Sequence, residues 1–240
     1  MGKDKNAAYG QTALWKIILT IAAELLLFGY LIYTAFNLVK TMDIFLILMV
    51  MIILPFPIII EKHMSFRING VLFVATLLYI CGDIFGTMYC LFASTFWFDK
   101  LMHFFAGFLF ASLGYYHLCF QKKCEMRRLN KNIFATAFSI MISVLWEIFE
   151  YSMDTIFHLD MQYDTFVNEI NTHLISDSYR VLTQIGKVNE TVVNGTVIQG
   201  YIDIGLHDTM NDLLMGTIGA LIFVVYTCID KDRHPLAKKV

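Results

Sequence analysis

The chain has 240 residues, of which 58% are hydrophobic and only 16% charged, and its mean hydropathy is +0.61. Apolar residues make up about half of an ordinary soluble domain, so this composition predicts a polytopic membrane protein instead. A net charge of -2 without a basic face argues against nucleic acid as a partner, and five cysteines without a CxxC pair argue against a zinc ribbon or a redox motif.

Six apolar runs are long enough to cross a membrane as helices, which takes about 20 residues each. In chain order the runs cover residues 13–37, 44–60, 70–92, 99–120, 132–153 and 207–229. Pro55 and Pro57 near the end of the second run predict a kink or a helix stop there. The fold class is therefore all-α: a polytopic membrane helix bundle of about six transmembrane helices, with residues 1–240 forming a single integral membrane domain.

Small residues recur at helical spacing in two of these runs. Gly82 and Gly86 in the third run form a GxxxG pair, and Gly216, Gly219 and Ala220 form a stripe on the sixth. Such residues let two helix backbones approach closely, so both sets predict helix packing positions.

A polar insertion of about fifty residues, 154–206, separates the last two runs. Four apolar side chains recur in it at helical spacing and predict a short external helix: Phe166, Ile170, Leu174 and Val181. Further on, Asn194-Gly195 lies between two β-branched pairs, which predicts a hairpin over 190–198 with a type I′ turn. The insertion is also the candidate surface for a protein partner.

The distribution of positive charge predicts the orientation. Of the 18 Lys and Arg residues, all but Lys40, Lys100, Arg180 and Lys187 lie on the side of the bundle that holds both termini. Positive residues favour the cytoplasmic side. This predicts a multi-pass plasma-membrane protein with both termini in the cytoplasm and 154–206 outside.

Three carboxylates close the fifth run. Glu147, Glu150 and Asp154 are spaced i, i+3, i+7, which puts them on one helix face. A charged side chain near the bilayer centre costs roughly 2.5 to 3.5 kcal/mol. That face is therefore predicted to meet water, other side chains or an ion rather than lipid.

Polar clusters also open the fourth and sixth runs, at the same predicted outer depth. Asp99 and His103 are i, i+4, and so are Asp208 and Asp212. Carboxylates and an imidazole that converge from three helices suit one divalent metal ion, although a proton relay or a charge-compensated network with Lys100 is equally open.

The predicted site has two kinds of member. The metal ligands are Asp99, His103, Glu150, Asp208 and Asp212. The catalytic residues are Glu147 and Glu150. No role is predicted for Glu24 or Asp83, which also lie within apolar runs.

Three motifs carry a family resemblance: Asp-Lys-x-x-His at the head of a membrane helix, Trp-Glu-x-x-Glu-Tyr-x-x-Asp ending the next, and Asp-x-x-x-Asp-x-x-x-x-x-x-Gly-Ala opening the last. Over about residues 75–225 the chain thus resembles the YjdF-like family of small bacterial inner-membrane proteins. That family has no established activity, so the resemblance implies a fold and a location in the bacterial inner membrane, not a reaction.

Three function classes remain open. The first is a metal-dependent hydrolase of a lipid or lipid-linked substrate, in which the metal activates water and a glutamate acts as base. The second is an ion- or proton-coupled small-molecule carrier, although no inverted repeat is visible and the acids cluster near one surface. The third is a non-catalytic membrane protein with a structural polar network. Membrane lipid is the expected partner in each, and the oligomeric state is not predicted.

Overall fold

The computed structural model describes residues 13–37, 41–64, 66–120, 126–176, 178, 180–231 and 235–239. Its helices are α1 (Leu14–Phe36), α2 (Thr41–Ile53), α3 (Phe56–Met64), α4 (Gly70–Met88), α5 (Leu91–Ser94), α6 (Phe96–Phe120), α7 (Arg128–Phe157) and α8 (Leu206–Asp230). Among these residues, five helical segments are long and apolar enough to cross a membrane: α1, the pair α2 and α3 taken as one segment, α4, α7 and α8. The predicted helical membrane bundle is confirmed.

α6 was predicted as a span and is 25 residues long, but it is not among the five helical segments that are both long and apolar enough. Charged and imidazole side chains occupy its first two turns, at Asp99, Lys100 and His103. These polar side chains lower the hydropathy of a helix that is otherwise rich in phenylalanine.

The prolines break the second predicted span as expected. α2 ends at Ile53 and α3 begins at Phe56, because Pro55 has no N–H to continue the hydrogen-bond ladder and its ring crowds the preceding turn. The Pro55 carbonyl accepts from the amides of Ile58 and Ile59, both at 3.1 Å, which restarts the helix at once. The chain therefore continues through the apolar region as two helical pieces.

The chain divides into two compact units: unit 1 is Met1–Ser143 with Met215–Val240, and unit 2 is Val144–Leu214. Unit 1 holds two buried apolar clusters. One joins α1, α2 and α4 around Leu54 and Phe73, and the other joins α6, α7 and α8 around Tyr115 and Phe223. Each cluster buries apolar stripes of helices whose opposite faces remain exposed.

Glycine contacts bring α6, α7 and α8 together in unit 1. A Cβ atom at Gly107 of α6 would lie 2.9 Å from the Cα atom of Gly216 on α8, and closer still to its carbonyl group. A Cβ atom at Gly219 would likewise overlap the Phe104 carbonyl. The Ser139 hydroxyl of α7 donates to the Gly107 carbonyl at 2.9 Å. The small-residue stripe on the sixth run therefore packs against a neighbouring helix, as predicted.

A short antiparallel ribbon lies beside these helices in the same unit. Strand β1 (Phe66–Ile68) pairs with β8 (Ala237–Lys239), and the register places Ile68 opposite Ala237 and Arg67 opposite Lys238. Just after β1, the Asn69 side chain accepts from the Leu72 amide at 2.7 Å and caps α4.

The rest of the polar insertion in unit 2 is built from strands. They are β2 (Thr165–Val167), β3 (Glu169–Thr172), β4 (Thr183–Gly186), β5 (Glu190–Val193), β6 (Thr196–Gln199) and β7 (Tyr201–Asp203). The antiparallel pairs are β2 with β7, β3 with β4, and β5 with β6. The β3–β4 and β5–β6 ribbons follow each other along the chain, and the β2–β7 ribbon joins the two ends of the segment that contains them.

The predicted short external helix is wrong. Phe166 lies in β2, Ile170 in β3, and Leu174 and Val181 lie in the connection between β3 and β4. The residues between them include two asparagines, two serines and an aspartate, whose side chains compete for backbone hydrogen bonds, and the β-branched Val167 and Thr172 favour strands. Ile170 pairs across the ribbon with Ile185, a contact that the helical spacing of four apolar residues did not reveal.

The hairpin prediction is confirmed. β5 and β6 flank Asn194 and Gly195, whose φ angles are 51° and 85°. A two-residue turn with positive φ at both positions matches the right-handed twist of the strands, and asparagine and glycine tolerate that conformation best.

We expect Gly195→Val to open this hairpin locally, because a β-branched residue held at positive φ costs on the order of 1–3 kcal/mol. Limited proteolysis and hydrogen exchange over residues 190–199 report the change. Gly186→Val is the matched control, since Gly186 lies in β4 with nothing within 4 Å of an added Cβ. Equal protection of the two variants and the parent would contradict the turn assignment.

Candidate functional site

Four of the predicted site residues lie in unit 2, and all four are buried. Glu147 and Glu150 of α7 are 5% and 7% exposed, and Asp208 and Asp212 of α8 are 9% and 1% exposed. Burial penalises the charged form of a carboxylate unless a hydrogen bond, a cation or a proton compensates it. These acids are therefore the strongest candidates for a functional role.

Asp154, one turn beyond Glu150, has a different task. Its Oδ1 accepts from the backbone amide of Met161 at 2.7 Å, and its Oδ2 accepts from that of Gln162 at 2.8 Å. Both carboxylate oxygens thus hold the loop that follows α7. The sequence predicted Asp154 only as a member of the acidic face. The structure shows that its carboxylate binds the backbone of the loop after α7.

The same loop is also fastened to the start of α8. Asp208 Oδ2 accepts from the Tyr163 amide at 3.1 Å, and the Gln162 side-chain amide donates to the Thr209 hydroxyl. Gly205, with φ at 94°, lets the loop approach, because a Cβ atom there would lie 2.6 Å from Gln162 Cβ. Three consecutive residues, 161–163, therefore tie the end of α7 to the beginning of α8.

This tie sets the relative depth of the buried acids within unit 2. Asp154 and Asp208 bind adjacent loop amides, so they lie at one level. Glu150 precedes Asp154 by four residues and Asp212 follows Asp208 by four, so each lies about 6 Å farther along its helix, at a rise of 1.5 Å per residue. Because α7 runs toward the loop and α8 runs away from it, Glu150 and Asp212 also share a level. Glu147 precedes Glu150 by three residues, so it lies less than one turn farther from the loop along α7.

One partner of Glu150 comes from its own helix. The Trp146 indole Nε1 donates to Glu150 Oε1 at 2.8 Å. An indole can donate but not accept, so Glu150 Oε1 is the acceptor in this bond. Hydrogen bonds of this kind orient metal-binding carboxylates in other proteins.

The loop between α7 and β2, residues 158–164, carries further negative charge. Partial burial raises the pKa of Asp160, and the charges of Asp164 and Asp154 raise it further. Clustered charge of one sign increases the local concentration of oppositely charged ions. This end of unit 2 therefore attracts cations.

Unit 1 contains the other two predicted ligands. Asp99 Oδ2 accepts from Lys100 Nζ at 2.9 Å, and Asp99 Oδ1 lies 3.6 Å from His103 Nε2. The second distance is too long for a hydrogen bond, but it is close enough for an ion pair when the imidazole is protonated. His103 is buried, with 8% of its surface exposed. The predicted i, i+4 pairing of Asp99 with His103 thus forms on α6.

Asp83, for which the sequence suggested no role, lies near this pair. Its neighbour Gly82 packs against the side chain of Met102 on α6, the residue that precedes His103. The signal that could have indicated this position is the glycine pair itself, since a GxxxG face on α4 also brings the aspartate between its glycines toward the neighbouring helix.

The sequence analysis missed a buried ion pair in unit 1. Lys16 of α1 and Glu61 of α3 are each 4% exposed, and Lys16 Nζ donates to Glu61 Oε1 and to the Ile68 carbonyl, the latter at 2.6 Å. Glu61 Oε1 also accepts from the Ile68 amide at 2.8 Å. The available signal was a single lysine inside the first apolar run and a single glutamate directly after the second.

Within unit 2 the structure buries Glu147, Glu150, Asp208 and Asp212, and within unit 1 it pairs Asp99 with His103. The hypothesis that all six share one ion stays a prediction.

A family model described as "Predicted membrane protein (DUF2238)" matches residues 19–233 of the chain. No curated protein and no solved structure matches it. The family match agrees with the resemblance of the sequence to a membrane family without an established activity.

Proposed function

The chain belongs to the DUF2238 family of predicted membrane proteins, and we propose that its buried carboxylates on α7 and α8 bind one divalent cation. The observation that carries the proposal is the burial of Glu147, Glu150, Asp208 and Asp212 in a helix pair that Asp154 and Asp208 tie together. Four such acids repel one another when ionised, and a cation relieves that repulsion.

The ligand chemistry indicates which ions to test. Carboxylate oxygens alone favour magnesium, manganese or calcium. If Asp99 and His103 also contribute, as the sequence predicts, the imidazole shifts the preference toward zinc and other transition metals. The metal content of Asp99→Asn and His103→Ala variants tests their contribution separately.

We propose further that the bound cation serves hydrolysis of a lipid or lipid-linked substrate. A bound divalent metal can lower the pKa of a coordinated water to about 7, which supplies a nucleophile at neutral pH. Glu150 would hold the ion, and Glu147, less than one turn away, would accept the proton of the water. A substrate from the bilayer fits a site that is built into membrane helices.

Metal analysis of the purified protein tests the cation. We expect one ion per chain after incubation with magnesium, manganese or calcium. We expect Glu150→Gln, which keeps the shape and removes the charge, to lose that ion and the stability it provides. A ligand present at a hundred times its Kd stabilises the folded state by about 2.7 kcal/mol, so the wild-type protein should show a metal-dependent rise in Tm and the variant should not.

Glu169→Gln is the matched control. It removes the same charge at an exposed position of β3, elsewhere in unit 2. A wild-type protein without stoichiometric metal, together with unchanged or higher stability of Glu150→Gln, would contradict the cation proposal. A protonated carboxylate network, and with it a proton-coupled carrier or a structural role, would then be the better account.

We also propose that both termini face the cytoplasm of a bacterial cell and that the polar insertion lies outside, on the strength of the Lys and Arg distribution. In a background without native cysteines, we expect Lys187→Cys to react with an impermeant thiol reagent in intact cells. Lys62→Cys, on an exposed position of α3, should react only after lysis. The reverse pattern would overturn the orientation.

A further inference from the structure

The strand β1 is held along both of its edges. Ile68 directs its polar groups away from β8: its amide donates to Glu61 Oε1 at 2.8 Å, and its carbonyl accepts from Lys16 Nζ at 2.6 Å. Successive residues of a strand present these groups to opposite edges, and the next amide, that of Asn69, donates to the Leu236 carbonyl at 2.7 Å. The buried ion pair thus takes the place of a neighbouring strand on the edge of β1 that β8 leaves uncovered.

The strand β8 has few attachments of its own. Three of its residues pair with β1, and the Leu236 amide just before the strand donates to the Tyr116 hydroxyl of α6 at 2.8 Å. Among residues 235–237, only Ala237 is buried, with 1% exposed. The methyl group of an alanine buries much less apolar surface than a leucine or an aromatic side chain. Hydrogen bonds therefore hold β8 more than apolar packing does.

The helices beside β8 are held much more firmly. Tyr115 of α6 and Phe223 of α8 are 1% and 0% exposed, and their rings are in contact. Two-stranded ribbons are marginally stable by themselves. A segment with few buried apolar contacts opens at a lower cost in free energy than the whole fold. β8 can therefore leave β1 while α6 and α8 stay packed.

Release of β8 would also open a cavity. An apolar cavity of about 140 Å³ lies between α3, α4 and α6, and its wall includes Ile68 and Ala237, which face each other in the β1–β8 ribbon. Without β8, the cavity loses the part of its wall that Ala237 forms. The edge of β1 that carries the Asn69 amide becomes accessible at the same time.

We propose that β8 is a releasable strap, which detaches from β1 and from Tyr116 while the helices stay packed and so opens this cavity. The ion pair of Lys16 and Glu61 keeps β1 in position during release, because its bonds to Ile68 do not involve β8. The strap therefore returns to an edge that is already formed. None of the carboxylates proposed to bind a cation takes part, so either proposal can fail without the other.

The labelling rate of a thiol at residue 237 tests the proposal. Ala237→Cys is made in the full chain without its native cysteines, purified in mild detergent and treated with a water-soluble maleimide. We expect it to react at least tenfold more slowly than the exposed Lys62→Cys, because the strap is closed most of the time. We expect it to react at least tenfold faster than Ala135→Cys, the matched control, whose position on α7 is 0% exposed and belongs to the same apolar cluster.

Tyr116→Phe tests the attachment to α6. The variant keeps the ring but removes the hydroxyl that accepts from the Leu236 amide. We expect labelling at residue 237 to become about fivefold faster, the usual effect of one hydrogen bond, and labelling at residue 135 to stay unchanged. Tyr33→Phe, at an exposed position of α1, is the matched control and should change neither rate.

Hydrogen exchange of the unmodified protein gives an independent test, should Ala237→Cys fail to fold. We expect the amides of residues 236–239 to exchange at a rate that urea below the unfolding transition leaves unchanged, while residues 108–116 and 132–139 exchange only on global unfolding. Equal labelling at residues 237 and 135, or equal protection of these segments, would show that β8 opens only with the whole fold and would overturn the proposal. Labelling at residue 237 as fast as at residue 62 would show that β8 is not docked and would overturn it too. An unchanged rate in Tyr116→Phe would overturn the attachment assigned to the hydroxyl.

Discussion

Gly107→Ala is expected to prevent the normal packing of α6 against α8. The added Cβ atom would lie 2.9 Å from the Cα atom of Gly216 and overlap its carbonyl group. These are backbone atoms of a helix, so no side-chain rotation relieves the overlap and the two helices must separate. Overpacking typically costs about 1–3 kcal/mol even where side chains can adjust, and we expect the cost here to exceed that range.

Separation of these helices would also disturb α7, because the Ser139 hydroxyl donates to the Gly107 carbonyl. We therefore expect loss of the folded protein, measured as the yield of monodisperse protein in detergent and as the temperature of unfolding. Gly107→Ala adds only one methyl group, so a loss of folded protein would report on the contact between α6 and α8.

Gly29→Ala is the matched control for this experiment. Gly29 lies inside α1, and an added Cβ there has nothing within 4 Å. Alanine is favoured over glycine in a helix interior by about 1 kcal/mol, so the same substitution should be neutral or stabilising at residue 29. If Gly107→Ala proved as stable as Gly29→Ala, the close contact between α6 and α8 would be wrong.

Lys16→Met is expected to destabilise the protein by roughly 3–5 kcal/mol, the usual cost of removing one partner of a buried ion pair. Methionine keeps the length and apolar stem of lysine but leaves the Glu61 carboxylate buried without its cation. It also removes the donor to the Ile68 carbonyl and the ammonium group that lies 4.8 Å from the centre of the Phe73 ring. The midpoint of chemical or thermal unfolding in detergent measures the loss.

A double variant separates the ion pair from simple packing. Lys16→Met combined with Glu61→Leu replaces both charges by apolar groups, a change that is often neutral for buried pairs. We expect it to recover most of the stability lost in the single variant. Lys62→Met, on an exposed position next to Glu61, should change stability little. A single variant as stable as the parent, or a double variant no better than the single one, would contradict this account.

The location of the buried acids bears on the choice between enzyme and carrier. Glu150 and Asp212 lie about 6 Å along their helices from the loop that Asp154 and Asp208 hold, at the rise of an α-helix. A carrier of the known transporter types places its site near the bilayer midplane, between repeated halves. Acids about 6 Å from the loop do not match that arrangement, which is why the enzyme stays the first proposal and the carrier the second.

Several features followed from the sequence because they depend on neighbouring residues. The long apolar runs gave the membrane helices, since each helix satisfies its own backbone hydrogen bonds in lipid. Pro55 gave the break between α2 and α3, because it lacks the N–H that the turn requires. Asn194-Gly195 gave the hairpin, because these residues tolerate the positive φ of its turn. The i, i+4 pairing of Asp99 and His103 likewise needs only one helix.

The tertiary structure decided the features that depend on residues far apart in the chain. Lys16 and Glu61 are separated by 45 positions, and no local pattern reveals which buried charge will find which partner. Asp154 looked like a third member of an acidic face until the loop amides of Met161 and Gln162 occupied its carboxylate. Helical spacing suggested a helix around Ile170, but cross-strand pairing with Ile185 made a strand. In each case a contact outside the local helical pattern satisfied a charge or a backbone group, and that contact exists only once the chain has folded.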